Sequence, residues 1–184
     1  MGSEMCIRDR DRSEGELRDI SVVRLTASGW TTPQQVHADG WHMTGCPVNG
    51  PAIDARGRDV AVAWFTAPDQ RRVRLAFSSD SGRTFSQPVE VAAGAVAGRV
   101  DVVLLDDGRA VVSWLANAPA GAEFVAQAFA RDGTVAGSRV LIARSSIERA
   151  SGFPQMVRSG DRLIFAWTQA GEPPSLRTAV AHLR

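Results

Sequence analysis

The 184 residues predict an all-β chain in which a four-stranded unit repeats. Three observations carry that reading. Apolar residues recur with a period of two in short runs bounded by Gly, Asp and Pro, and no segment keeps a helical period over three turns. Three of these runs align on tryptophan: 57–64, 108–114 and 160–167 end in Trp64, Trp114 and Trp167, spaced by 50 and 53 residues. Each Trp follows a small residue (Ala63, Ser113, Ala166), and an apolar one stands two before it (Val62, Val112, Phe165). A second run repeats in register: 73–77 matches 125–129 at a shift of 52, each followed by an Asp/Gly turn.

The strands follow in order. The best copy gives 51–55, 60–66, 73–78 and 88–92; the next gives 100–105, 110–115, 124–130 and 139–143. The last gives 154–157, 163–168 and 176–182, one strand short, and a partial first copy supplies two outer strands at 21–26 and 34–37. The second strand of each copy is apolar on both faces, which suits a sheet packed between two others. A four-stranded unit of about 50 residues has the size of a propeller blade. The predicted fold is therefore all-β, a partial β-propeller of about three blades. Residues 13–184 form it, with blades near 20–40 (partial), 47–93, 98–144 and 150–184, after an N-terminal tail at 1–12.

Composition excludes little more. The hydrophobic fraction is 44% and the net charge +1, which argues against a nucleic-acid partner bound by whole-chain charge. No run reaches the roughly 18 apolar residues of a membrane helix. All 21 basic residues are Arg, and Tyr is absent. Two cysteines, Cys6 and Cys46, make no disulfide framework. Residues 1–12 are polar, without the apolar core of a secretory signal. No cofactor is expected.

Ser78-Ser79-Asp80-Ser81-Gly82-Arg83-Thr84-Phe85 places Ser, Asp, Gly, Thr and an aromatic at fixed spacing between a third and a fourth strand. Asp and Ser can bond turn amides, Gly permits a positive φ, and the aromatic can tuck beneath. Ser78, Asp80, Gly82, Thr84 and Phe85 are thus expected to brace a turn; Trp30 would take the Phe85 position in a degenerate first copy. This pattern resembles the Asp box, and with the repeat the chain from about residue 20 onward resembles the sialidase-like six-bladed propellers (the Asp-box, or BNR-repeat, family). The absence of a Trp-Asp pair and of a Gly-Gly doublet speaks against two other propeller families. Residues 1–10 resemble a translated sequencing adaptor, which would make the chain a gene fragment; a disordered native tail is the alternative.

The resemblance implies an exported bacterial protein. For the family's enzymes it implies three Arg on a sugar carboxylate, a Tyr nucleophile assisted by Glu, and an Asp acid/base. A neutral Tyr can approach an anionic anomeric centre that a carboxylate would repel. With no Tyr here, catalytic residues stay unassigned. The expectation is a non-catalytic propeller binding an acidic glycan or another small anion at its funnel mouth. The alternative is an exo-α-sialidase-type hydrolase whose catalytic set lies partly outside these residues. Exposed blade faces would also favour self-association.

Candidate ligand residues come from the segments that start each innermost strand. Arg99 and Asp101, two apart, share a strand face and would point into the funnel. Arg149 starts the next blade, so Arg99 and Arg149 together can grip an anion; a static network between blades is the competing reading. Segment 41–51 carries His42, Cys46 and Asn49 in a Gly/Pro-rich connection, where binding residues concentrate. A Cys46–His42 nucleophile pair lacks an orienting partner. A metal set of His37, His42 and Cys46 lacks zinc spacing, and no metal is assigned. A plain rim loop is the remaining reading. Asp106-Asp107-Gly108 reads as a hairpin turn rather than a calcium site, and the three repeat tryptophans as blade packing rather than a sugar platform.

Overall fold

A computed structural model of the chain describes residues 5–10, 12–45 and 47–183. Among these residues there are four antiparallel sheets and no α-helix, hence none long and apolar enough to cross a membrane. The first sheet holds β1 (Met5–Arg10), β2 (Ile20–Thr26), β3 (Gly29–Trp30) and β4 (Gln34–His37). The second runs β5 (Ala52–Arg56), β6 (Asp59–Thr66), β7 (Arg72–Ser78), β8 (Val89–Ala93). The third runs β9 (Val96–Leu104), β10 (Ala110–Ala118), β11 (Gly121–Phe129), β12 (Val140–Ser145). The fourth has β13 (Gln155–Ser159), β14 (Arg162–Gln169) and β15 (Ser175–His182). The last three are meanders; in the first, β3 and β4 both pair with β2, and together the four sheets form a partial β-propeller. Two strands lie outside the sequence reading. Met5–Arg10, in the segment read as a tail, pairs along its whole length with Ile20–Thr26, and Gly29–Trp30 closes a tight hairpin on Leu25 and Thr26.

Alternation along the second strands builds the core. In β6, Val60, Val62 and Trp64 pack on Ile20, Val22 and Val36 of the first sheet. Its other face, Ala61, Ala63 and Phe65, packs on the third sheet. In β10, Val112 and Trp114 face back to the second sheet, while Val111 and Leu115 face forward to Phe165 and Trp167. Both faces are therefore dry, as the two-sided apolar pattern requires. The three repeat tryptophans occupy the same place, each turned toward the preceding sheet. The Trp64 indole N–H donates to Asp39 Oδ2 at 2.6 Å, whereas the Trp114 N–H is buried with no partner.

A repeated polar contact ties neighbouring innermost strands. Asp54 on β5 accepts the amide of Leu104 on β9 at 2.7 Å, and Asp101 on β9 accepts the amide of Met156 on β13 at 2.7 Å. Each carboxylate also accepts the amide that follows it, both at 2.9 Å. The turn Asp106-Asp107-Gly108 adds another tie: the Asp106 carboxylate pairs with Arg56 before it and Arg158 after it.

The 78–85 turn is braced by its own side chains. Ser78 Oγ accepts the Gly82 amide (2.9 Å) and donates to Asp80 Oδ1 (2.7 Å). Asp80 Oδ1 accepts the amides of Arg83 (3.0 Å) and Thr84 (2.9 Å), and Oδ2 accepts the Thr84 hydroxyl (2.7 Å). These bonds hold the Asp80 carboxyl well below the ordinary carboxylate range, the Thr84 amide contributing most. Ser81 and Gly82 both take positive φ, 63° and 75°, a path that Gly follows without strain. Phe85 packs against the core between the first two sheets, but Trp30, expected in the equivalent place, stands exposed.

Candidate functional site

In an antiparallel meander, alternate connections lie at the same end. The β4–β5, β6–β7, β8–β9, β10–β11 and β12–β13 connections therefore gather at one end of the sheets. Between them lies a cleft of about 490 Å³. Three arginines line it, Arg71, Arg99 and Arg149, with Trp41, Phe65, Phe153 and the amides Asn49 and Asn117. Among the described residues of the lining there is no carboxylate, no His and no Cys.

Arg99 owes its direction to a bulge. Asp101 pairs with Ser113 and Gly98 with Leu115, so Arg99 and Val100 together stand opposite the single Trp114. Gly98 and Arg99 both have positive φ, 88° and 53°. This overturns the shared strand face expected for Arg99 and Asp101. Arg99 enters the mouth cleft; Asp101 lines a separate groove with Asp54 and Arg158, where its carboxylate bonds Met156. The extra residue breaks the period-two rule on which the expectation rested.

Arg99 is a tie between sheets. Its Nη2 donates to the carbonyls of Ile147 (2.7 Å) and Glu148 (2.8 Å), just before the last sheet. Its guanidinium carbon lies 5.6 Å from the centre of the Phe153 ring. Nη1 is buried without a partner, and burial pulls the group below the ordinary arginine value. An arginine still keeps its charge at neutral pH. Of the two readings of Arg99, the static tie is therefore built. Arg149 and Arg71 are exposed, and no bond from either guanidinium is present among the described residues.

The other expected residues separate. Asn49 lines the cleft, with its side chain turned onto β9: Oδ1 accepts the Arg99 amide (3.0 Å) and Nδ2 donates to the Ala97 carbonyl (3.1 Å). His42 does not line the cleft; its Nδ1 meets the Gly15 carbonyl at 2.8 Å, beside a bridge to Leu17. Cys46 lies outside the described residues. His37 contacts Asp39, which also binds Arg74 and Trp64 between the first two sheets. Trp41 packs edge-on against Phe65 at 5.7 Å and lies beneath Arg10, whose guanidinium carbon is 4.7 Å from the ring centre. Arg71 and Asn117 were missed. Their signal was parity: the connection after each second strand returns to the end where Asn49 and Arg149 lie.

No family model matches the sequence, and no curated protein matches it. Solved structures do. Over 98% of this chain, a xylan β-1,4-xylosidase from Bacillus halodurans C-125 is similar with a TM-score of 0.60 and 11% identity. A Hadza microbial sialidase is similar over 96% of the chain, with a TM-score of 0.58 and 18% identity. An endo-arabinase from Bacteroides thetaiotaomicron is similar over 89%, with a TM-score of 0.53 and 14% identity. The chain covers 38%, 42% and 67% of these structures, so it spans well under half the length of the first two. These neighbours are β-propeller glycoside hydrolases. At such identities the likeness establishes the fold.

Proposed function

We propose that the mouth cleft binds an anionic glycan without cleaving it. One observation carries this reading: the described lining joins three arginines to three aromatic rings and offers no carboxylate. Exposed Arg149 and Arg71 supply charge for a carboxylate or sulfate. Half-exposed Phe153, and the edge of the partly buried Trp41, supply apolar surface for a sugar ring. Glycoside hydrolysis in most families needs a pair of carboxyl groups flanking the scissile bond, and the described residues of the lining include none. That the similar folds belong to enzymes acting on glycans agrees with a glycan ligand. Titration calorimetry with 3′-sialyllactose and an oligogalacturonide, against neutral lactose, tests it. Binding of an acidic sugar that weakens about tenfold in Arg149→Ala supports the proposal; equal heats for acidic and neutral sugars refute it.

A hydrolytic reading draws on the likeness to the sialidase. Its catalytic set would lie partly outside these residues, which include no Tyr and whose described lining offers no carboxylate. Release of a fluorogenic sialoside, lost on Arg99→Ala or Arg149→Ala, would favour it.

The partner proposed for the last sheet is a second copy of the chain. Val157, Ile164 and Val180 are aligned across β13–β14–β15 on the face turned away from the third sheet. Val157 and Val180 are 57% and 54% exposed, and Leu176 on the same sheet 74%. Inside the chain such apolar faces stack on the next sheet. On β2, Val23 and Leu25 alternate with the inward Ile20 and Val22 and offer a matching surface at the other end of the stack.

A further inference from the structure

We infer that Asn49 is a positioning residue, and that with Gly98 and Arg99 it forms a latch that fixes the wall of the mouth cleft. The inference deepens the binding proposal and rests on it for its functional half alone.

Asn49 uses both ends of its amide on β9, accepting the Arg99 amide at 3.0 Å and donating to the Ala97 carbonyl at 3.1 Å. These two bonds span the bulge and hold Arg99 at its φ of 53°, a conformation disfavoured for a residue with a side chain. Gly98 makes the approach possible. A Cβ there would meet the Asn49 amide at 2.7 Å, and its φ of 88° also excludes most side chains. The bulge then aims the guanidinium at the 147–153 segment. There Nη2 bonds the Ile147 and Glu148 carbonyls, and the charge lies over Phe153. Arg149, one of the two exposed cations of the cleft, is carried on that same segment. The chain of dependence therefore runs from the β4–β5 connection through β9 to the β12–β13 connection, three sheets in succession. Asn49 has both ends of its amide engaged before any ligand arrives, so its contribution to binding passes through Arg99.

Trypsin gives a readout that needs no ligand, because Arg149 is exposed on the latched segment. Cleavage after Arg149 is compared with cleavage after the remote Arg177 in wild type, Asn49→Ala, Asn49→Asp, Arg99→Ala and the Asn49→Ala/Arg99→Ala pair. Circular dichroism checks that each variant is folded. The latch predicts cleavage at Arg149 about tenfold faster in Asn49→Ala and in Arg99→Ala, with no further rise in the pair. Asn49→Asp, which keeps the acceptor for the Arg99 amide and loses the donor to Ala97, should lie between. Gly98→Ala provides an independent route: it should open the segment with Asn49 intact. An Asn49→Ala protein cleaved at the wild-type rate while Arg99→Ala is cleaved fast overturns the inference, as does an additive pair. Affinity for 3′-sialyllactose should fall in parallel with cleavage across the set. Absence of binding by the wild type would sink the binding proposal and leave the latch to be judged on cleavage.

Discussion

Asp80 shows how a motif residue can stabilise a fold without touching a ligand. Its carboxylate accepts two amides and a hydroxyl and is held below the usual carboxylate range. A depressed folded value means that its stabilisation is complete above the unfolded carboxylate value of about 4 and fades as pH falls through the folded value. Asp80→Ala is expected to cost about 1–2 kcal/mol at neutral pH. It should also flatten the loss of melting temperature between roughly pH 4 and pH 2; a variant with the wild-type slope there would show that the turn does not depend on the charge. The role of these residues was legible from spacing, because local turn chemistry is contained in eight consecutive residues. The roles of Arg99 and Asp101 were not legible, because they depend on a bulge whose partner strand lies more than ten residues away.

At the scale of the element, the second strands were the clearest part of the sequence. Their two-sided apolar pattern survives any uncertainty about turns, and β6 and β10 are buried along nearly their whole length. The tryptophans differ in one polar atom. Trp64 donates to the buried Asp39, and Trp114 has an indole N–H with no partner. Trp64→Phe should therefore destabilise the protein by about 1–3 kcal/mol more than Trp114→Phe, since it strands a buried acceptor. Denaturant unfolding of the two variants decides this, and equal midpoints would remove any structural weight from the Asp39 contact. The strands at Met5–Arg10 and Gly29–Trp30 were hidden for different reasons: the first lacks apolar alternation, and the second is two residues long.

At the scale of the molecule, the stack of four sheets leaves an apolar face uncovered on its last member. Sedimentation velocity is expected to show self-association of the 184-residue chain that rises with concentration, and Val180→Arg should reduce it with circular dichroism unchanged. A wild-type monomer across the accessible concentration range would mean that this face is tolerated in water. The end of the stack where the mouth cleft lies was legible from strand parity, and Asn49, Arg99 and Arg149 do meet there. His42 did not follow them: its neighbours Trp41 and Met43 line the cleft, while its own side chain turns to the Gly15 carbonyl.

Calorimetric titration of 3′-sialyllactose and lactose into the wild type and Arg149→Ala decides whether the mouth cleft is a site for an acidic sugar. Saturable binding of the acidic sugar alone, weakened about tenfold by the substitution, is the expected result. Binding that ignores both the acid group and Arg149 would contradict it.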